Sequence, residues 1–299
     1  MTGIRKLACL TALTAICAAV SAQSALSTDP APDKANPAAI QTFQLPSHGA
    51  LLNALVYVAA GAGPHPTAIL LHGFPGNERN LDLAQSIRRA GWNVLFFDYR
   101  GSWGSPGAFS FSNCIEDTQA AIAYLRDPAN AAKLRSDPTN IVLIGHSMGG
   151  FMARYVGAHD PAVKAVALIS AADMAVDTVE SIPSAHRSMA AASIAAHFAN
   201  EGMAPLAGCT PDSLAQEVIA NADAWNVPNL EPALASRPVL VITSDDGLLP
   251  SNDAFTGAIR KAGGKQTTTL HIATDHSYSD KRIALQTAIL NFLATLPSK

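Results

Sequence analysis

The sequence predicts an α/β fold: a mostly parallel sheet covered by helices on both faces. Two observations predict it. From residue 40 onward, apolar runs of strand length alternate with segments whose apolar residues recur at helical spacing. Several of the strand-like runs are apolar throughout, which is typical of strands buried on both faces. Strands that alternate with helices form parallel sheets with crossover helices, so we expect helices on both sides.

The strands are predicted from short runs rich in β-branched and aromatic residues. The first two runs are close together and are expected to pair antiparallel, while the later runs are separated by helices. The predicted strands are, in chain order, 40–45, 50–58, 67–71, 94–97, 141–144, 163–169, 239–242 and 267–272.

The helices are predicted from apolar residues spaced three and four apart. They span 80–90, 115–125, 148–158, 254–261 and a final segment that contains Leu285, Ile289 and Phe292. Between the strands near 170 and 238 the chain is Ala-rich and has no strand pattern. A loop that long requires structure of its own, so we expect a helical cap insertion at about 174–236, over the strand ends.

Composition excludes several classes of protein. With 48% hydrophobic and 14% charged residues, the 299-residue chain is too apolar for intrinsic disorder. The net charge of −3 and the lack of a Lys/Arg run give no reason to expect a nucleic-acid partner.

Residues 1–22 have the form of a signal peptide. Arg5 and Lys6 precede an apolar run that ends in a small-residue cleavage pattern at Ala22. The run is shorter than the roughly 20 residues that a membrane span needs. We therefore expect an exported protein, periplasmic or extracellular, with no stable membrane insertion after cleavage.

The mature chain is expected to begin with a disordered lead-in. Residues 23–39 are rich in Ala, Pro, Ser and Asp, and residues 40–299 form the domain. Cys114 and Cys209 are the cysteines left after signal removal. An oxidising compartment would allow them to pair, but sequence does not give their separation, so the pairing stays open, as does the oligomeric state.

One short stretch, IVLIGHSMGGF at 141–151, points to chemistry. It places Ser147 between Gly145 and Gly149, after a buried strand and before a helix. An abrupt strand-to-helix turn forces its pivot residue into a strained backbone conformation, and neighbouring side chains would collide there. Gly-x-Ser-x-Gly in this context is the nucleophile elbow, which exposes a serine at the carboxyl end of a sheet.

With this motif, the chain from residue 40 to 299 resembles the α/β-hydrolase family, and the resemblance implies the α/β-hydrolase fold. His72-Gly73-Phe74 is similar to the family's His-Gly-x turn. The resemblance implies an oxyanion hole formed by the backbone N–H groups of Phe74 and Met148.

The family also implies an acid and a histidine downstream. Asp246 begins the sequence Asp-Gly-Leu-Leu-Pro, similar to the family's Asp-x-x-Val-Pro, so Asp246 is the expected acid and Asp245 the alternative. His276 lies after the last predicted strand, where the family keeps its general base. His271, within that strand, and His146, within the elbow, are expected to be structural.

The resemblance implies a serine hydrolase that cleaves carboxylic esters through a Ser-His-Asp triad and an acyl-enzyme. Three alternatives stay open: a serine peptidase or amidase of prolyl-oligopeptidase-like type, an acyltransferase, and a non-catalytic binding protein on the same scaffold. The expected partner is a small ester or acyl substrate. No cofactor or metal is expected, because the chain contains no His-Glu-x-x-His, no paired Cys-x-x-Cys and no phosphate-binding Gly-x-x-x-x-Gly-Lys-[Ser/Thr].

Overall fold

A single sheet of eight strands runs through the computed structural model, which describes residues 24–175, 177, 186–226 and 230–297. The strands are β1 (Ala39–Ser47), β2 (Ala50–Val58), β3 (His65–Leu71), β4 (Asn93–Phe97), β5 (Ser136–His146), β6 (Ala165–Ile169), β7 (Val239–Thr243) and β8 (Thr267–His271). Their order across the sheet is β1-β2-β4-β3-β5-β6-β7-β8.

The sheet is mostly parallel, as predicted. β1 and β2 form an antiparallel hairpin, and β2 pairs antiparallel with β4. All pairings from β4 to β8 are parallel. The carboxyl ends of β3, β5, β6, β7 and β8 therefore meet at one edge, where open parallel sheets bind their ligands.

Helices cover both faces. They are α1 (Leu81–Arg89), α2 (Phe111–Arg126), α3 (Pro128–Leu134), α4 (Met148–His159), α5 (Arg187–Asn200), α6 (Pro211–Trp225), α7 (Glu231–Leu234), α8 (Leu249–Lys261) and α9 (Arg282–Thr295). No helix in the described ranges is long and apolar enough to cross a membrane.

Two hydrophobic cores sandwich the sheet, because successive side chains of a strand point to opposite faces. In β3, Ile69 belongs to one core and the adjacent Leu70 to the other. Apolar residues of α2, α4, α6 and α8 complete the first core. Those of α1 and α9 complete the second. This confirms the predicted α/β class with helices on both faces.

The described part of the segment predicted as a cap insertion contains α5, α6 and α7, joined by turns and irregular loops. It is tied to the loop after β4: the N–H of Phe109 donates to the carbonyl of Ala207 at 2.8 Å. The Glu217 carboxylate of α6 also accepts from the N–H groups of Phe111 and Ser112, at the start of α2. The cap is thereby anchored beside the strand ends.

The described part of the predicted lead-in, residues 24–38, is mostly exposed and contacts the domain at Ala25, which is buried and whose carbonyl accepts a 2.6 Å hydrogen bond from Arg89. One strand boundary differs from the prediction: β5 begins at Ser136, five residues before its apolar run, because Ser136 pairs with His65 of β3. The register then shifts before Ile141 pairs with Thr67. The predicted signal peptide, 1–22, lies outside the described residues. Cys114 and Cys209 are free thiols.

Candidate active site

Ser147 is the pivot between β5 and α4. Its φ of 55° and ψ of −123° lie in a region that non-glycine residues rarely adopt. Backbone hydrogen bonds hold it there: its N–H donates to the carbonyl of Ile169, and its carbonyl accepts from the N–H of Ala172. The end of β6 and the loop after it thus hold Ser147 in a strained conformation, as is common at functional sites.

The glycines around Ser147 are required by close backbone approach. A Cβ at Gly145 would lie 2.0 Å from the carbonyl oxygen of Gly149. One at Gly149 would lie 2.2 Å from the carbonyl oxygen of Leu71, at the end of β3. One at Gly150 would meet the Ala171 side chain at 2.4 Å. The elbow therefore has room only for glycine at these three positions.

The structure brings His276 to Asp246. Nδ1 of His276 lies 2.7 Å from Oδ2 of Asp246, whose side chain is 4% exposed. The alternative acid, Asp245, points elsewhere: it lies 3.1 Å from Nε2 of His271, and both side chains are largely exposed. Of the two aspartates that follow β7, Asp246 is therefore the one beside the imidazole of the loop after β8.

Ser147 and His276 line one pocket of about 150 Å³ at the carboxyl edge of the sheet. Phe74 lines it too, from the loop after β3, and a Cβ at Gly73 would lie only 2.8 Å from the Cβ of Ser147. The other described residues that line it are Gly73, Pro75, Gly76, Asn77, Glu78, His146, Glu201 and Ser277. The described residues contain no cluster of His, Cys, Asp or Glu that could hold a metal ion.

A match to a protein-family model shows the family to which this chain belongs. Residues 66–252 match a model described as the alpha/beta hydrolase fold. The chain belongs to this family. The match covers β3 to the first turn of α8, including the elbow and Asp246. It ends before His276.

Relatives of this α/β hydrolase match over a limited length. The uncharacterized protein YfhR of Salmonella typhimurium is 35% identical over 85 residues, 28% of this chain and 27% of that one. The uncharacterized protein Rv2307c of Mycobacterium tuberculosis is 31% identical over 99 residues, 32% of each chain. The chain thus spans about a third or less of these relatives.

Solved structures match over most of the chain. The carboxylesterase EstE1, cloned from a metagenomic library, gives a TM-score of 0.60 at 19% identity, covering 96% of this chain and 97% of that one. A hyperthermophilic esterase from Pyrobaculum calidifontis gives 0.59 at 18% identity, with 94% and 92% covered. At these identities the likeness shows a shared fold.

In this α/β hydrolase, a hydrogen bond from His72 fixes the orientation of the peptide between Gly73 and Phe74. Nδ1 of the buried His72 lies 2.8 Å from the carbonyl oxygen of Gly73, to which it donates. Because the C=O and N–H of a trans peptide point in opposite directions, fixing this carbonyl fixes the direction of the Phe74 N–H. Met148, the other predicted donor, is the first residue of α4, and its N–H has no acceptor within the helix.

Hydroxyl groups behind Asp246 are functional candidates that the sequence reasoning missed. Burial acts to raise the pKa of Asp246, but hydrogen bonds from His276, Ser170, the Leu248 N–H and Ser244 outweigh it and hold the pKa below its usual range. The Ser170 hydroxyl lies 2.9 Å from those of Ser244 and Tyr278. Ser170 and Ser244 directly follow β6 and β7. Their position at the carboxyl ends of two predicted strands could have marked them as candidates from the sequence.

His146, expected to be structural, supports the backbone of His276. Its Nε2–H donates to the His276 carbonyl at 2.8 Å, and the two ring centroids are 4.7 Å apart. Burial, with the neighbouring His276 adding to it, lowers the pKa of His146 to about 3. Burial likewise lowers the pKa of His72 to about 4. Both side chains are therefore neutral at pH 7.

Because the pKa values of His72 and His146 are lowered, we expect the protein to lose stability as pH falls from about 6.5 to 4. Their folded pKa values lie below the unfolded value of 6.5, so protons bind preferentially to the unfolded chain in this range. At pH 5 each should cost about 1–2 kcal/mol of the free energy of unfolding. Burial raises the pKa of Asp98 to about 6, and this opposes part of the loss.

Urea unfolding at pH 7.5 and 5.0 measures this loss. His146→Gln keeps a hydrogen-bond donor for the His276 carbonyl but does not titrate, so its loss of stability should be smaller by about 1 kcal/mol or more. His159→Gln, at an exposed position, is the matched control and should behave as the wild type. Equal losses in all three proteins would contradict the assignment.

Proposed function

We propose that the protein is an exported serine hydrolase that cleaves small carboxylic esters. Ser147 is the nucleophile, His276 the general base, and Asp246 the acid that orients the imidazole. The observation that carries the proposal is the 2.7 Å contact between His276 and Asp246, together with the pocket that His276 lines with a serine on a strained elbow. Export rests on the signal-peptide form of residues 1–22.

The first half of the reaction forms an acyl-enzyme. Oγ of Ser147 attacks the ester carbonyl carbon while Nε2 of His276 takes the hydroxyl proton. Asp246 keeps the proton of His276 on Nδ1, which leaves Nε2 free as the base, and stabilises the imidazolium that forms. The N–H groups of Phe74 and Met148 donate to the oxyanion of the tetrahedral intermediate.

The second half releases the acid. The imidazolium gives its proton to the leaving alcohol as the C–O bond of the ester breaks. Water then attacks the acyl-enzyme and gives a proton to Nε2 of His276. Collapse of the second tetrahedral intermediate returns that proton to Ser147 and frees the carboxylic acid.

Two observations favour a small ester. The resemblance to structures named as a carboxylesterase and an esterase supports hydrolysis of esters. The pocket formed by the described residues, at about 150 Å³, lies below the usual range for drug-sized ligands, which supports a short acyl group.

A fluorophosphonate probe tests the nucleophile, and a substrate panel tests the reaction. The probe should label Ser147, as located by peptide mass spectrometry. p-Nitrophenyl esters from acetate to octanoate should be hydrolysed fastest at the short end, and aminoacyl p-nitroanilides slowly or not at all. Rapid cleavage of the anilides would favour the peptidase alternative, and an unlabelled, inactive protein would favour the binding protein.

A further inference from the structure

The described residues that line the pocket carry an unbalanced negative charge. They include two carboxylates, Glu78 and Glu201, and neither lysine nor arginine. Asp246 adds a third carboxylate just behind His276. A substrate that enters this pocket therefore meets acidic side chains close to Ser147.

The two lining carboxylates differ in their partners. Glu78 accepts a hydrogen bond from the Asn80 N–H and lies 3.9 Å from the guanidinium of Arg282. Within the described part of the chain, the exposed carboxylate of Glu201 has no hydrogen bond or ion pair. Glu201 is thus the one of the two that is available to a ligand.

Glu201 is held at the pocket by the structure of the cap. It follows α5, and its N–H donates to the carbonyl of Phe198. The ring of Phe198 is buried and packs edge-on against Phe74, with centroids 5.4 Å apart. Phe74 lines the pocket beside Ser147, so this contact holds the end of α5 next to the reacting groups. The carbonyl end of a helix adds its own negative potential there.

The nearby arginines are already engaged. Arg79 lies 3.4 Å from Asp98, with its guanidinium 4.2 Å from the centre of the Trp103 ring. Arg282 is paired with Asp82. Neither has an ion pair with Glu201 in the described part of the chain, so the charge of Glu201 is left for the substrate.

We propose that Glu201 makes the pocket selective for esters that carry an ammonium group on the acyl or alcohol part. The inference rests on the proposed function, because the ammonium has to pair with Glu201 while the ester carbonyl lies at Ser147. The site is open to water, which weakens a charge pair, so the expected preference over a neutral ester is about five- to tenfold in kcat/KM.

Three acetate esters of similar size test the inference: acetylcholine, its neutral carbon isostere 3,3-dimethylbutyl acetate, and the anion acetoxyacetate. Wild type should favour acetylcholine over the isostere by about fivefold or more, and the preference should shrink as salt is raised. Glu201→Gln should bring the ratio of kcat/KM for acetylcholine to that for the isostere close to one. Glu201→Lys should make acetoxyacetate the preferred ester. Asp212→Asn, which removes an exposed carboxylate of the same cap outside the pocket lining, should leave the ratio as in wild type.

The outcomes separate this inference from the proposed function. Wild type that hydrolyses the neutral ester without preferring acetylcholine overturns the role of Glu201 and leaves the esterase intact. A preference that persists in Glu201→Gln does the same. Wild type that hydrolyses none of the three esters and leaves Ser147 unlabelled by the fluorophosphonate overturns both.

Discussion

Ser147→Ala should lower the turnover of a small ester by a factor on the order of 10⁶, because it removes the hydroxyl that forms the acyl-enzyme in the proposed mechanism. His276 could still activate a water molecule and the Phe74 and Met148 N–H groups could still bind the oxyanion. A residual rate above the uncatalysed reaction is therefore expected. The measurement is kcat on p-nitrophenyl acetate with protein purified in a strain lacking other esterases.

The folded state of this variant is the necessary control. Alanine removes one hydroxyl and keeps the backbone hydrogen bonds of Ser147 to Ile169 and Ala172, so the melting temperature should change by only a few degrees. Fluorophosphonate labelling should disappear. A folded variant that keeps a tenth or more of the wild-type activity would show that Ser147 is not the nucleophile.

Asp246→Asn should lower kcat by a factor on the order of 10⁴. The asparagine amide can donate to Nδ1 of His276, which moves the imidazole proton to Nε2 and leaves no base facing the serine. Asp245→Asn is the matched control: its carboxylate pairs with His271 in solvent, so kcat should stay within about threefold of wild type.

The same variant has a consequence for stability that can be checked separately. The folded pKa of Asp246 is lowered, so its ionised form stabilises the protein above the unfolded pKa near 4, and this contribution is lost as pH falls below that value. At pH 7 Asp246→Asn should therefore unfold at lower urea than Asp245→Asn. Equal kcat values for the two variants would mean that Asp246 does not orient His276.

Most of the fold was predictable because it depends on local patterns. The apolar runs at β3, β4, β6 and β7 are short and rich in β-branched residues, which is typical of strands buried on both faces. The elbow could be predicted for a similar reason. At Gly145 and Gly149 the neighbouring backbone comes so close that only glycine fits, and the glycine spacing is visible in the sequence. Asp246 and His276 lie together because β7 and β8 are parallel neighbours.

The features of the fold and the site that the sequence did not predict depend on contacts between several distant segments. Ser170, Ser244 and Tyr278 form their hydroxyl cluster only when the loops after three strands converge, and short polar residues in loops have no periodicity. The start of β5 is polar, so only its pairing with β3 reveals it.

Phe74 touches both the cap and the reaction. Its ring packs against Phe198 of α5, while its own N–H belongs to the peptide held by His72. Any displacement of α5 would remove the Phe198 contact from one side of the Phe74 ring. The position of the cap and the order of the peptide that carries the proposed oxyanion donor are therefore linked through a single side chain.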